Sequence, residues 1–129
     1  MRQSVIRKES YNSVQVFWLD RELLNKRIGD GVAALVMSEP TVARVVLFGS
    51  VAADRAVPGS DVDLLIAVSR ADRPFLYRQI QYRSYFENIG VPVDLFVYTK
   101  SELDGDSIPL ARTALRSGVV LFDRRKSTA

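Results

Sequence analysis

The sequence contains no cysteine and no histidine. The first absence excludes disulfides, thiolate nucleophiles, iron–sulfur clusters and thiolate zinc sites. The second excludes Ser-His-Asp triads, imidazole acid–base catalysis and nearly all protein zinc or copper sites. Any enzyme chemistry must therefore run on carboxylates, hydroxyls, Lys, Arg and backbone amides. A catalytic metal would need oxygen ligands, which selects a hard ion such as Mg²⁺ or Mn²⁺. No apolar run approaches the roughly 18 residues that span a membrane. The stretch Met1–Val5 lacks the hydrophobic centre of a secretion signal, so the expected location is cytoplasmic. Internal repeats, low-complexity segments and dividing linkers are also missing.

What is present is an ordinary globular composition, 47% hydrophobic and 26% charged over 129 residues. Against roughly 150 residues per domain, this reads as a single domain spanning 1–129, with a polar and loosely held N-terminus over 1–12. The net charge of +3 is compatible with a phosphate-bearing ligand. It is too small to suggest nucleic acid as a partner, and the short basic run Arg124-Arg125-Lys126 reads as solvated.

The pattern of elements is α/β (α+β): a small mixed β-sheet flanked by helices. Val14, Val16 and Trp18 alternate with Gln15 and Phe17, suggesting a flanking strand, with Trp18 as a packing residue. Asp20 fits a helix N-cap, followed by Leu23, Leu24, Ile28, Leu35 and Val36 at helical spacing to about Ser38. Arg44–Phe48 is a short β-branched run, read as a buried strand, and Asp61–Val68 and Val91–Tyr98 are two more. Asp72-Arg73-Pro74 begins a helix carrying Phe75, Leu76, Ile80, Tyr82, Phe86 and Ile89, closed by Gly90. Ser107 or Pro109 opens a last helix ended by Gly118, with Val119–Phe122 as a final short strand.

The informative residues interrupt these strands. In Ser60-Asp61-Val62-Asp63-Leu64-Leu65-Ile66, positions i and i+2 project from one face, which puts Asp61 and Asp63 side by side about 7 Å apart. Two like charges on an otherwise apolar strand are costly unless a cation joins them, and no Lys or Arg stands on that face. A divalent ion resolves the conflict. Asp94 interrupts Val91-Pro92-Val93-Asp94-Leu95-Phe96-Val97 in the same way. If the two strands are neighbours, three carboxylates meet around one or two Mg²⁺ ions, the arrangement that serves in-line nucleotidyl transfer. Gly49-Ser50 supplies a second half. Gly lets backbone approach an anion, Ser50 can cap the following short helix or donate to a phosphate oxygen, and first-turn amides face the ligand.

Gly-Ser, ten residues, then Asp-x-Asp in an apolar strand with a later Asp on another strand resembles the nucleotidyltransferase superfamily related to DNA polymerase beta. The short length is similar to the minimal nucleotidyltransferase domain proteins. The motif spans residues 44–67, and the 91–98 strand and 112–122 ending extend the similarity. The resemblance implies that Asp61, Asp63 and Asp94 hold metal and form the catalytic set, with Asp94 helping to deprotonate an acceptor hydroxyl. It implies that Gly49 and Ser50 bind the β- and γ-phosphates of ATP or another nucleoside triphosphate, with Ser60 and Arg55 as further nucleotide contacts. Relatives continue Gly-Ser with small and basic residues ending in Arg-Gly. Here Val51-Ala52-Ala53-Asp54 intervenes and Arg55 comes one residue late.

The activity implied is transfer of NMP, foremost AMP from ATP, to a hydroxyl of a protein or small molecule. The alternative is a non-catalytic, antitoxin-like subunit that neutralises a helical HEPN-type partner by complex formation. On either reading such a partner, or a second copy of this chain as a homo-oligomer, completes the cleft. Tyr77, Tyr82, Tyr85 and Phe86 could stack on a base, although aromatics at helical spacing more often pack in a core. Arg73, Arg78 and Arg83 could line a substrate path or form a solvated face, and Lys100 could meet a phosphate.

Overall fold

A computed structural model describes residues 4–53 and 55–126. Two strands, β1 (Ile6–Tyr11) and β2 (Val14–Leu19), pair antiparallel as a separate hairpin. There follow α1 (Arg21–Ser38), β3 (Val42–Phe48), the single turn α2 (Gly49–Ala52), β4 (Val62–Val68) and α3 (Phe75–Tyr82). A 3₁₀ turn, Arg83–Phe86, leads to β5 (Val93–Thr99), α4 (Lys100–Asp104), α5 (Pro109–Ser117) and β6 (Val119–Asp123). The main sheet has the order β5-β4-β3-β6, with β4 and β5 parallel and the other pairs antiparallel. Among the described residues no helix is long and apolar enough to cross a membrane.

β4 is central and apolar on both faces, as a strand covered on two sides must be. Val62, Leu64, Ile66 and Val68 face α1, meeting Leu24, Ile28, Val32 and Leu35 together with Tyr82 and Phe86. Leu65 and Ala67 face the other way, against Val46, Tyr98 and the α5 residues Ala111 and Ala114. Each large aliphatic side chain fully buried there contributes roughly 1.5–3 kcal/mol of transfer free energy. The second cover is short. α5 covers the middle of that sheet face, and Leu103 of α4 packs beside it.

Three sequence expectations are corrected. The stretch 1–12 was expected to be loose, but Ile6–Tyr11 forms β1, held by six paired positions with β2 and by an Arg7–Asp20 ion pair of 2.6 Å. Its first three residues lie outside the described residues. Trp18 does not pack fully; it remains 40% exposed on the hairpin. The helix expected from Asp72 to Ile89 begins at Phe75, and a 3₁₀ turn replaces its second half.

Asp20 caps α1 as expected. Its Oδ1 accepts the Leu23 amide at 3.1 Å while its Oδ2 accepts from Arg7. These two interactions, the amide first, hold the carboxyl below its ordinary value. A carboxylate with a lowered folded pKa stabilises above its unfolded pKa and loses that contribution as pH falls through the folded value. Asp20→Ala is therefore expected to lower the melting midpoint by about 3–5 °C at pH 7. The gap to wild type should shrink in thermal scans at pH 3.

Candidate active site

The register of the sheet assembles the site. β3 runs antiparallel to β4, so the end of β3 lies beside the start of β4, with Phe48 opposite Asp63. β5 runs parallel to β4 with Asp63 opposite Asp94. The Gly49-Ser50 turn, Asp61, Asp63 and Asp94 thus collect at one end of the sheet, with Asp63 on the face it shares with Leu65 and Ala67. The sequence expectation was conditional on β4 and β5 being neighbours; they are.

Asp63 is the centre of the group. It is half-buried, whereas Asp61 and Asp94 are exposed. Burial first, then the charges of Asp94 and Asp61, push its carboxyl above the ordinary range. Among the described residues none of these three carboxylates forms an ion pair with Lys or Arg. Like charges gathered without a counter-charge are what a cation site looks like before it is filled. The donors are all oxygens, which fits a hard ion. As placed, no three acidic side chains among the described residues converge closely enough to ligate one ion by themselves. Mutual repulsion holds such groups apart until a positive charge joins them.

Gly49 fixes the carboxylate from the other side. It has φ of +80°, and a Cβ built on it would collide with Asp63 Oδ2. The backbone of the turn therefore lies directly against the central acid, which only glycine permits. α2 follows immediately, closed by Ala53 N donating to Gly49 O and Arg55 N donating to Ser50 O at 3.1 and 2.9 Å. The Ser50 hydroxyl has no hydrogen-bond partner among the described residues. Arg55 is exposed at the foot of the same turn. Asp54, part of the departure noted in the sequence, lies outside the described residues. Ser60 serves its own loop: its Oγ accepts the Val57 amide at 3.0 Å, closing the Pro58-Gly59 turn.

The remaining expectations divide. Tyr82 and Phe86 are buried in the core, Tyr85 is partly buried, and Tyr77 is exposed on α3, away from the carboxylates in the chain's topology. Arg73 and Arg78 border a hollow of about 220 Å³, but Arg78 is held by the fold: it forks onto Glu102 at 2.6 Å and donates to the Arg73 and Val97 carbonyls. The sequence reading missed Phe48 and Phe96. Their rings lie 5.6 Å apart on the carboxylate face, one on each side of β4, and form an apolar floor next to Asp63. Their signal was positional: Phe96 is two residues beyond Asp94, and Phe48 immediately precedes Gly49.

The family model described as "Polymerase beta, Nucleotidyltransferase" matches residues 31–127. The chain belongs to this nucleotidyltransferase family. The match begins within α1, runs through β6 and includes every candidate site residue; the β1–β2 hairpin and the first half of α1 lie outside it. Among solved structures, the chain is similar to a provisionally assigned nucleotidyltransferase from Sulfolobus solfataricus. That pair shares 22% identity over 84% of this chain and 88% of the other, with a TM-score of 0.61. At that identity the likeness speaks for the nucleotidyltransferase fold. No curated protein matches the chain.

Proposed function

We propose that this nucleotidyltransferase-family protein is a Mg²⁺-dependent enzyme that moves NMP, foremost AMP from ATP, onto a hydroxyl of a protein or small molecule. The observation that carries the reading is Asp63. It is half-buried between Asp61 and Asp94, pressed on the Gly49 backbone, and has no cationic partner among the described residues. Asp61, Asp63 and Asp94 would hold the ion or ions. Bound there, Mg²⁺ would lower the acceptor hydroxyl's pKa and neutralise charge on the triphosphate.

The chain's own groups supply the rest. The Gly49-Ser50 turn offers backbone amides and a free hydroxyl to the β- and γ-phosphates, and Arg55 stands near enough in sequence to add a charge. The acceptor oxygen forms a bond to the α-phosphorus as the bond from that phosphorus to the bridging oxygen breaks. Pyrophosphate leaves, and the hydroxyl proton passes to Asp94, an exposed member of the carboxylate group.

A second reading is a binding subunit that neutralises a helical HEPN-type partner by contact, and the hairpin surface favours it. The hairpin leaves Tyr11, Val14, Phe17 and Trp18 between 40 and 58% exposed, the kind of surface a partner covers. One experiment separates the two. The protein is titrated calorimetrically with each of the four NTPs, with Mg²⁺ and with EDTA, and then incubated with α-phosphate-labelled ATP and a co-expressed acceptor. Metal-dependent binding and transfer of label are the expected results. Absence of metal-dependent binding for all four NTPs would leave the contact reading.

A further inference from the structure

The same sheet face has a second opening at its other end. β3 begins there, β4 and β5 finish there, and β6 ends alongside. A pocket of about 420 Å³ lies between these ends and α4. Ala67 lines it, four residues along β4 from Asp63 and on the same face, so the two sites stand about 13 Å apart. Leu65, Val46, Tyr98 and the α5 residues Ala111 and Ala114 fill the space between them. The pocket is therefore separate from the candidate active site.

Its charge is unbalanced. Arg44, Lys100, Arg124 and Arg125 line it, against Asp104 and Asp123. Arg124 is committed to the fold, donating to the Val42 carbonyl at 2.8 Å and stacking on Phe122. Asp123, its side chain 4% exposed, is shared by two guanidinium groups: Arg125 within 3.5 Å and Arg44 at 3.8 Å. Arg44 makes that contact through Nε, which is buried and too far from Asp123 Oδ2 to hydrogen-bond. The Arg44 side chain lines the pocket wall and adds positive charge there. Lys100 is exposed at the pocket wall and forms no ion pair among the described residues. Leu103 and Leu115 add apolar wall. The volume falls within the range of small-molecule sites.

We propose that this pocket is a second ligand site, which takes a small phosphomonoester, a compact dianion on an apolar body. Lys100 and Arg125 meet the phosphate, Arg44 adds positive charge at the wall, and the leucines receive the body. The site does not depend on nucleotidyl transfer, and its test needs no metal.

The probe is phenyl phosphate, added to the full chain in EDTA at low salt and followed by amide NMR and calorimetry, with inorganic phosphate and phenol alongside. Saturable binding is expected, with shifts at Arg44, Lys100 and Arg125, and tighter than either fragment. Lys100→Glu and Arg125→Ala should each weaken it about tenfold. Both side chains are exposed, and Glu suits the first turn of α4, so both variants should fold. Asp61→Asn/Asp63→Asn should bind phenyl phosphate like wild type. The proposal fails if nothing saturates, if Lys100→Glu binds as well as wild type, or if the shifts fall on Gly49 and Ser50 instead.

Discussion

Asp63→Asn is expected to reduce nucleotidyl transfer by at least about a thousandfold and, in EDTA, to make the protein more stable. The two effects have one cause. The ionised carboxyl of Asp63 is disfavoured in the folded chain, first by burial and then by the charges of Asp94 and Asp61. Its folded pKa thus lies above its unfolded one. A group of this kind stabilises fully below the unfolded pKa, and that contribution is lost as pH rises through the folded pKa. At neutral pH without metal, wild type carries the full penalty and the Asn variant does not. The carboxyl is partly open to solvent, so screening limits the difference to on the order of 0.5–1 kcal/mol, or a few degrees of melting midpoint.

The comparison is made by thermal unfolding of both proteins at pH 4 and pH 7.5, with EDTA and with Mg²⁺. The advantage of the variant should appear at pH 7.5 in EDTA and shrink as the pH falls through the raised folded value of Asp63. Mg²⁺ should raise the wild-type midpoint and leave the variant nearly unmoved. A variant less stable than wild type at pH 7.5 in EDTA would mean that Asp63 has a favourable partner, and the case for a cation site would go with it.

The sheet was legible because its strands are apolar and β-branched, and the acids were legible because they break that pattern. Val62 to Val68 is buried on both faces, so a carboxylate at position 63 has no structural reason to be there. What sequence could not supply was register. Asp63 meets Asp94 only because β4 and β5 run parallel in one alignment, and Arg44 meets Asp123 across β3 and β6, 79 positions apart in the chain. The distal pocket depends entirely on that second pairing. β1 escaped notice because Arg7-Lys8-Glu9-Ser10 carries no apolar face; its strand conformation comes from pairing with β2. α4 has only five residues, but its Thr99-Lys100-Ser101-Glu102 start is a complete capping box, with Glu102 N on Thr99 Oγ1 and Thr99 N on Glu102 Oε1. That signature stands in the sequence and would have placed the helix.

Gly49→Ala is expected to cost at least about a hundredfold in transfer activity and roughly 1–3 kcal/mol in stability, and the two losses can be separated by cause. One part is conformational: φ of +80° is strained for any residue with a Cβ. The other is collision, because the new methyl would occupy the place of Asp63 Oδ2, with Asp63 Cγ only 3.3 Å away. Gly59 is the control. It has φ of +100° but nothing within 4 Å of its would-be Cβ. Gly59→Ala should therefore lose stability through strain alone, about 1 kcal/mol, and keep its activity. If collision with Asp63 is what distinguishes Gly49, removing the obstacle should relieve it. Gly49→Ala placed on an Asp63→Ala background should destabilise by no more than Gly59→Ala does, a non-additivity that chemical denaturation of the four proteins would read directly. Strict additivity would mean that the turn and the central acid are not in contact, and the Gly49-Ser50 turn would lose its place in the site.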